Sequence, residues 1–124
     1  FMDKLLDPHT KKICDALLFD IVRSADNGEE STVKFFRKDL ISMTIWLFIL
    51  KSYNEYKTIN IEDIAREIAP SSRISKPSLR LILENAKIKK FIRFVHNPKD
   101  NRSWVIEPED ITINEFKKWT QIFL

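Results

Sequence analysis

The sequence predicts a mostly α-helical fold with a minor β component, arranged as four helices, one hairpin and a closing helix. Three observations carry that expectation. Apolar residues recur at helical spacing in five segments, a strand-turn-strand pattern occurs at 91–106, and cap residues stand where most periodic segments begin. The chain has 124 residues, 44% hydrophobic and 31% charged, close to globular averages. A chain of this length buries roughly two-thirds of its unfolded surface and needs no disulfide or metal to hold a core. Residues 2–124 therefore read as one domain, with Met2 as the natural start and Phe1 as an addition before it.

Asp7 and Pro8 open the first helix, predicted at 8–24: Asp7 can accept from first-turn amides, and Pro8 lacks a donor where none is needed. Ile13, Cys14, Leu17, Leu18, Ile21 and Val22 form a wide apolar stripe with Phe19 beside it. Cys14, in that stripe, reads as a buried, inert thiol. Asn27-Gly28 closes the helix, with Gly28 suited to the left-handed position past its end, and 26–32 reads as a loop. A second helix, at 33–56, contains the apolar block from Leu40 to Leu50. Being hydrophobic nearly all round, it should lie centrally, with Met43 and Trp46 as core filler.

Residues 57–59 read as one short strand. Asn60 then caps a third helix, 61–68, with Glu62 and Asp63 in its first turn, where negative charge suits the dipole. It buries Ile61, Ile64, Ala65 and Ile68, and Pro70 stops it. Ser75 caps a fourth helix, 75–89, with Pro77 in the tolerated first turn. Leu79, Ile82, Leu83 and Ala86 give its buried face, Lys76, Arg80, Glu84 and Lys87 its polar one, while Leu81 and Ile88 point away from the core. The hairpin pairs 91–96 with 102–106 across the turn 97–101. Thr112 or Asn114 caps a short last helix with Ile113, Phe116, Trp119 and Phe123 on one face.

The inventory excludes several chemistries. Cys14 alone forms no intramolecular disulfide, and with His9 and His96 it is too little for a zinc site. The single glycine, Gly28, rules out glycine-rich phosphate loops. Nothing places a nucleophile beside a base, so no catalytic, metal or cofactor residue is assigned. The block from Leu40 to Leu50 is about half a membrane span, and no leader pattern opens the chain. The expectation is a cytoplasmic non-enzyme that does not enter membranes.

Charge locates the function. The formal net charge is +3, yet residues 73–102 hold nine bases (Arg73, Lys76, Arg80, Lys87, Lys89, Lys90, Arg93, Lys99, Arg102) against Glu84 and Asp100. That third is strongly basic and the remainder mildly acidic, an asymmetry that suggests an anionic partner. The element order adds a topology: helix-turn-helix, then a hairpin, with flanking N- and C-terminal helices. This is the layout of a winged helix-turn-helix, in which one helix enters the DNA major groove and the hairpin reaches the adjacent minor groove.

Ser75-Lys-Pro-Ser78-Leu79, a helix running into Lys90-Phe91-Ile92, and Asn97-Pro98-Lys99-Asp100-Asn101-Arg102 together resemble the MarR (multiple antibiotic resistance regulator) pattern over about residues 61–108. The resemblance implies a homodimeric regulator of double-stranded DNA, most simply a repressor on a pseudo-palindromic operator. It implies DNA contacts from Ser75, Ser78, Arg80, Asp100 and Arg102, with Asp100 orienting Arg102 for a narrow minor groove, and the basic charge of this third adds Arg73, Lys76, Lys87 and Lys99 as candidate DNA contacts. The first and last helices of two protomers would intertwine, with 8–56 and 112–124 as scaffold and 57–108 as the DNA-binding lobe. A small aromatic effector is a candidate ligand, with Trp46, Tyr53 and Tyr56 as liners. The family's turn glycine falls at Lys90, which implies a turn closed in another way. An alternative stays open: a winged-helix protein-protein interaction module, docking through Leu81 and Ile88.

Overall fold

The computed structural model describes residues 5–26, 31–100 and 102–124. In order, the elements are α1 (Pro8–Asp26), α2 (Thr32–Arg37), α3 (Leu40–Asn54), α4 (Ile61–Ile68), α5 (Lys76–Ile88), β1 (Ile92–His96), β2 (Trp104–Pro108) and α6 (Asp110–Thr120), followed by a 3-10 turn, Gln121–Phe123. The predicted closure of α1 by Asn27-Gly28 and the Asn101 position of the wing lie outside the described residues, as do Phe1 and Met2.

α1 starts as expected, with the Thr10 amide donating to Asp7 Oδ1 at 2.8 Å. The single helix expected at 33–56 is instead two. Asp39 takes an extended conformation, φ −153°, and its carboxylate accepts from Ser42 N at 2.7 Å, so it caps a new helix start within the apolar run. α2 is capped by Ser31, and the Glu115 carboxylate of α6 accepts from the Thr32 amide at 2.9 Å. α3 is the central helix. Its Trp46 is fully buried, stacked on Phe36 at 5.6 Å and met edge-on by Phe116 at 5.0 Å, so it is core and lines no ligand cavity.

Two helices end in the same motif. At the end of α5, Phe91 N donates to Ala86 O and Lys90 N to Lys87 O, both at 2.9 Å. At the end of α3, Lys57 N donates to Ser52 O at 2.9 Å and Tyr56 N to Tyr53 O at 3.1 Å. Such paired bonds require a left-handed residue, usually glycine. Here Tyr56 (φ 58°) and Lys90 (φ 63°) occupy it. The turn at Lys90 is thus closed by the left-handed geometry a glycine would provide, contrary to expectation, with a lysine carrying the strain.

Asn60 and Asp63 form a reciprocal capping box on α4, which ends before Pro70 as expected. The seven-residue turn to α5 is tied back by the Ser71 and Ser72 amides, both donating to Ile68 O. The hairpin is antiparallel, pairing Ile92 with Pro108 through His96 with Trp104. Its return strand starts two residues later than the sequence suggests, because Arg102 N bonds the Asp100 carboxylate and Ser103 N bonds Asp100 O, so the turn consumes both. Residues 57–59 form no strand; Ile59 O accepts one bond, from Ile106 N at 2.9 Å.

The cap predicted for the last helix also moves. Thr112 is fully buried inside α6, where its hydroxyl donates to Phe91 O; the Thr32 hydroxyl, 3.3 Å away, must therefore donate to Thr112. One threonine ties α6 to α2 and to the base of the hairpin.

α1 stands apart from this core. Leu18, Phe19, Ile21 and Val22 remain exposed, and so does Cys14, which the sequence had placed in a buried stripe. Asp20 anchors α1, accepting from Trp119 Nε1 at 3.3 Å and pairing with Arg37 at 3.4 Å.

Candidate functional site

α4, the turn and α5 form a helix-turn-helix whose second helix presents an exposed face beside the hairpin. Ser75 caps α5: its hydroxyl accepts from Ser78 N at 3.3 Å and bonds the Ser78 hydroxyl at 2.9 Å. Both serines are exposed, and their amides lie at the positive end of the helix dipole, where an anion is favoured. Arg73 is exposed in the preceding turn. Lys76 meets the Glu62 carboxylate of α4 through both oxygens, at 2.8 and 2.9 Å. Both partners are largely solvated, so the pair contributes little to stability and leaves the ammonium exchangeable.

Arg80 and Arg102 come together. They line one cleft of about 260 Å³ between the start of α4, α5 and the hairpin, together with Glu62 and the apolar side chains of Leu83, Phe94, Trp104 and Ile106. Trp104, 52% exposed and packed edge-on against His96 at 5.3 Å, is a member of this site that the residue pattern marks only as part of a strand. Lys87 is held over the Phe94 ring at 4.9 Å, which fixes its stem against β1.

The wing is ordered by side chains. Asn97 Oδ1 accepts from Lys99 N at 3.0 Å, and Asn97 Nδ2 donates to Ser103 Oγ at 3.1 Å. Asp100 accepts from the Arg102 main-chain amide at 2.9 Å. It therefore shapes the loop on which Arg102 stands. Lys99 and Arg102 are exposed at that tip.

One of the nine bases is withdrawn from the basic face. Arg93, on β1, donates to Glu107 at 2.9 Å and pairs with Glu109 at 3.6 Å, and its guanidinium also reaches the Tyr53 hydroxyl at 3.4 Å. Burial pulls its pKa down, but the bond and charge of Glu107, then Tyr53 and Glu109, outweigh that and hold it above its ordinary value. Among the described residues, no three His, Cys, Asp or Glu side chains gather as metal ligands, and no helix is long and apolar enough to cross a membrane.

These features define a winged helix-turn-helix. No protein-family model matches the chain, and no curated protein matches it in sequence. Solved structures do match in fold. The chain is similar to S. aureus MepR in complex with DNA, with a TM-score of 0.62 and 17% identity over 90% of this chain and 82% of that one. It is similar to the heme sensor PefR from Streptococcus agalactiae in complex with heme (TM-score 0.55, 14% identity, 95% of this chain and 74% of that one). It is similar to E. coli MarR in its apo form (TM-score 0.52, 12% identity, 97% and 78%). All three are MarR-family winged-helix regulators, and the fold of this chain is theirs.

Proposed function

We propose that the protein is a cytoplasmic, non-enzymatic transcriptional regulator that binds double-stranded DNA as a homodimer and acts as a repressor. One observation carries this: Arg80 of α5 and Arg102 of the wing converge on one side of a helix-turn-helix, beside the exposed amino end of α5. In this reading 57–108 is the DNA-binding lobe. Ser75, Ser78 and Arg80 face phosphates and base edges in the major groove, and Lys99 and Arg102 enter the adjacent minor groove. Arg73, Lys76 and Lys87 meet backbone phosphates, and Asp100 sets the loop that presents Arg102. The fold shared with the DNA-bound MepR supports the placement.

The scaffold, 8–56 and 112–124, serves dimerisation. Leu18, Phe19, Ile21 and Val22 on α1 and Leu124 at the other end stay exposed in the single chain, an apolar surface that a second copy would bury. Between α3 and α6 a groove of about 330 Å³ is lined by Leu50, Tyr53, Tyr56, Phe116 and Lys117, and suits a small aromatic effector. Tyr53 and Tyr56 keep the liner role there; Trp46 does not.

Electrophoretic shifts with genomic fragments, repeated across salt concentrations, test the proposal. Retardation that weakens steeply with salt is expected, because phosphate neutralisation releases counterions. Indifference to DNA at low salt would overturn it.

A further inference from the structure

The outward ridge of α5 is not what a purely electrostatic DNA helix requires. Its buried face is Leu79, Leu83 and Ala86, and directly opposite, one helical turn into the element, lies Leu81, 62% exposed. Arg80 flanks it on the side of the wing, and Ser78 and Asn85, both exposed, flank it on the other. The arrangement is an apolar centre bounded by polar and charged edges, with Glu84 one turn beyond Arg80 on the wing side.

That order matches a major groove. Phosphates line the rim, where cations are useful, and base edges form the floor, which the centre of the helix meets. At the floor each base pair presents donors and acceptors, except that thymine also projects a methyl group. A leucine has no donor or acceptor, so pressing it onto the amino or carbonyl edge of a G·C pair leaves buried polar groups without partners. Against a thymine methyl it buries apolar surface on both sides at no such cost. Ile88 is also exposed, at 73%, but it is the last residue of α5, two turns further from the end that leads into the groove.

We propose that Leu81 is a specificity-determining residue that reads a thymine methyl group, fixing an A·T pair in each half of the bound site. The inference rests on the DNA-binding reading above. It assigns to base recognition a side chain that otherwise suggests a protein-docking patch.

The test uses the full chain and a duplex selected by it from a random pool. Each thymine is replaced in turn by uracil, which pairs identically but lacks the methyl group. Wild-type protein should lose about fourfold in affinity at one position per half-site, the equivalent of one buried methyl group. Leu81→Ala should bind the thymine and uracil duplexes equally, while Ile88→Ala keeps the wild-type discrimination. Leu81 is exposed, so Leu81→Ala opens no cavity, and an unchanged thermal melt confirms its fold. A selected duplex on which no uracil substitution matters, or a Leu81→Ala protein that still tells thymine from uracil, overturns the inference and leaves the DNA-binding reading intact. A chain that selects no duplex at all overturns both.

Discussion

Replacing Lys90 by glycine should make the protein more stable, although it deletes a side chain and adds chain flexibility. Lys90 stands at φ 63° with its amide bonded to Lys87 O, and Phe91 N is bonded to Ala86 O. Holding an L-residue in that region costs about 1–2 kcal/mol, because Cβ crowds the following carbonyl. Glycine escapes the crowding but gives back about 0.5–1 kcal/mol in extra unfolded-chain entropy. The Lys90 side chain is exposed, so its removal forfeits no burial. The net expectation is a gain of about 0.5–1 kcal/mol, or a rise in Tm of about 2–4 °C for a chain of this size. Urea and thermal unfolding followed by tryptophan fluorescence, at one fixed protein concentration, measure it. Lys90→Ala is the control, since it removes the same charge and stem yet keeps Cβ and should show no such gain. If Lys90→Gly is no more stable than Lys90→Ala, the strain assigned to this turn does not exist.

Four further outcomes are expected. Arg102→Ala should weaken DNA binding by about 1–3 kcal/mol and shallow its salt dependence, read by fluorescence anisotropy; unchanged affinity would remove the wing from recognition. Thr112→Val should cost about 1–2 kcal/mol in a denaturant melt, because the buried Thr32 hydroxyl loses its acceptor, while Phe91 O keeps its bond from Glu109 N. Leu18→Asp should yield a folded monomer by light scattering, since Leu18 is exposed in the single chain and would be covered by the second copy in the proposed dimer; a persistent dimer would move the interface elsewhere. The Asp7 carboxylate is held below its ordinary value, first by the Thr10 amide and then by the Thr10 hydroxyl. A carboxylate depressed in the folded state stabilises above its unfolded value and loses that as pH falls through the folded one. The first turn of α1 should therefore fray below about pH 4, seen as faster amide exchange at Thr10 and Lys11; an exchange rate insensitive to acid, once the intrinsic rate is corrected for, would contradict the cap.

Caps and periodicity made α1, α4 and α5 legible, because Asp7, Asn60 and Ser75 act locally and their partners lie three residues on. The division at Asp39 was legible in principle, as an Asp three residues before Ser42, but the surrounding apolar run outweighed it. Other departures are tertiary. Thr112 looks like a cap from its neighbours; it is buried because Thr32 and Phe91, distant in sequence, supply its partners. Cys14 sits in an apolar stripe, yet the stripe is not covered within one chain. Within the site, the pattern found the wing's Asn97, Asp100 and Arg102 but not that Asp100 holds the Arg102 amide. It also counted Arg93 among the basic group, although the strand register sets Arg93 opposite Glu107 and so neutralises it.

The attachment of α1 has a consequence for the order of events during synthesis. Asp20 is bonded to Trp119, 99 residues later in the chain. The ribosome therefore makes this helix well before the indole that receives it. Until Trp119 emerges, α1 has its Arg37 ion pair but not its indole bond, and its leucines face whatever is near. In the proposed dimer, two nascent chains on one messenger would present these helices to each other before the Trp119 of either could draw its own α1 back.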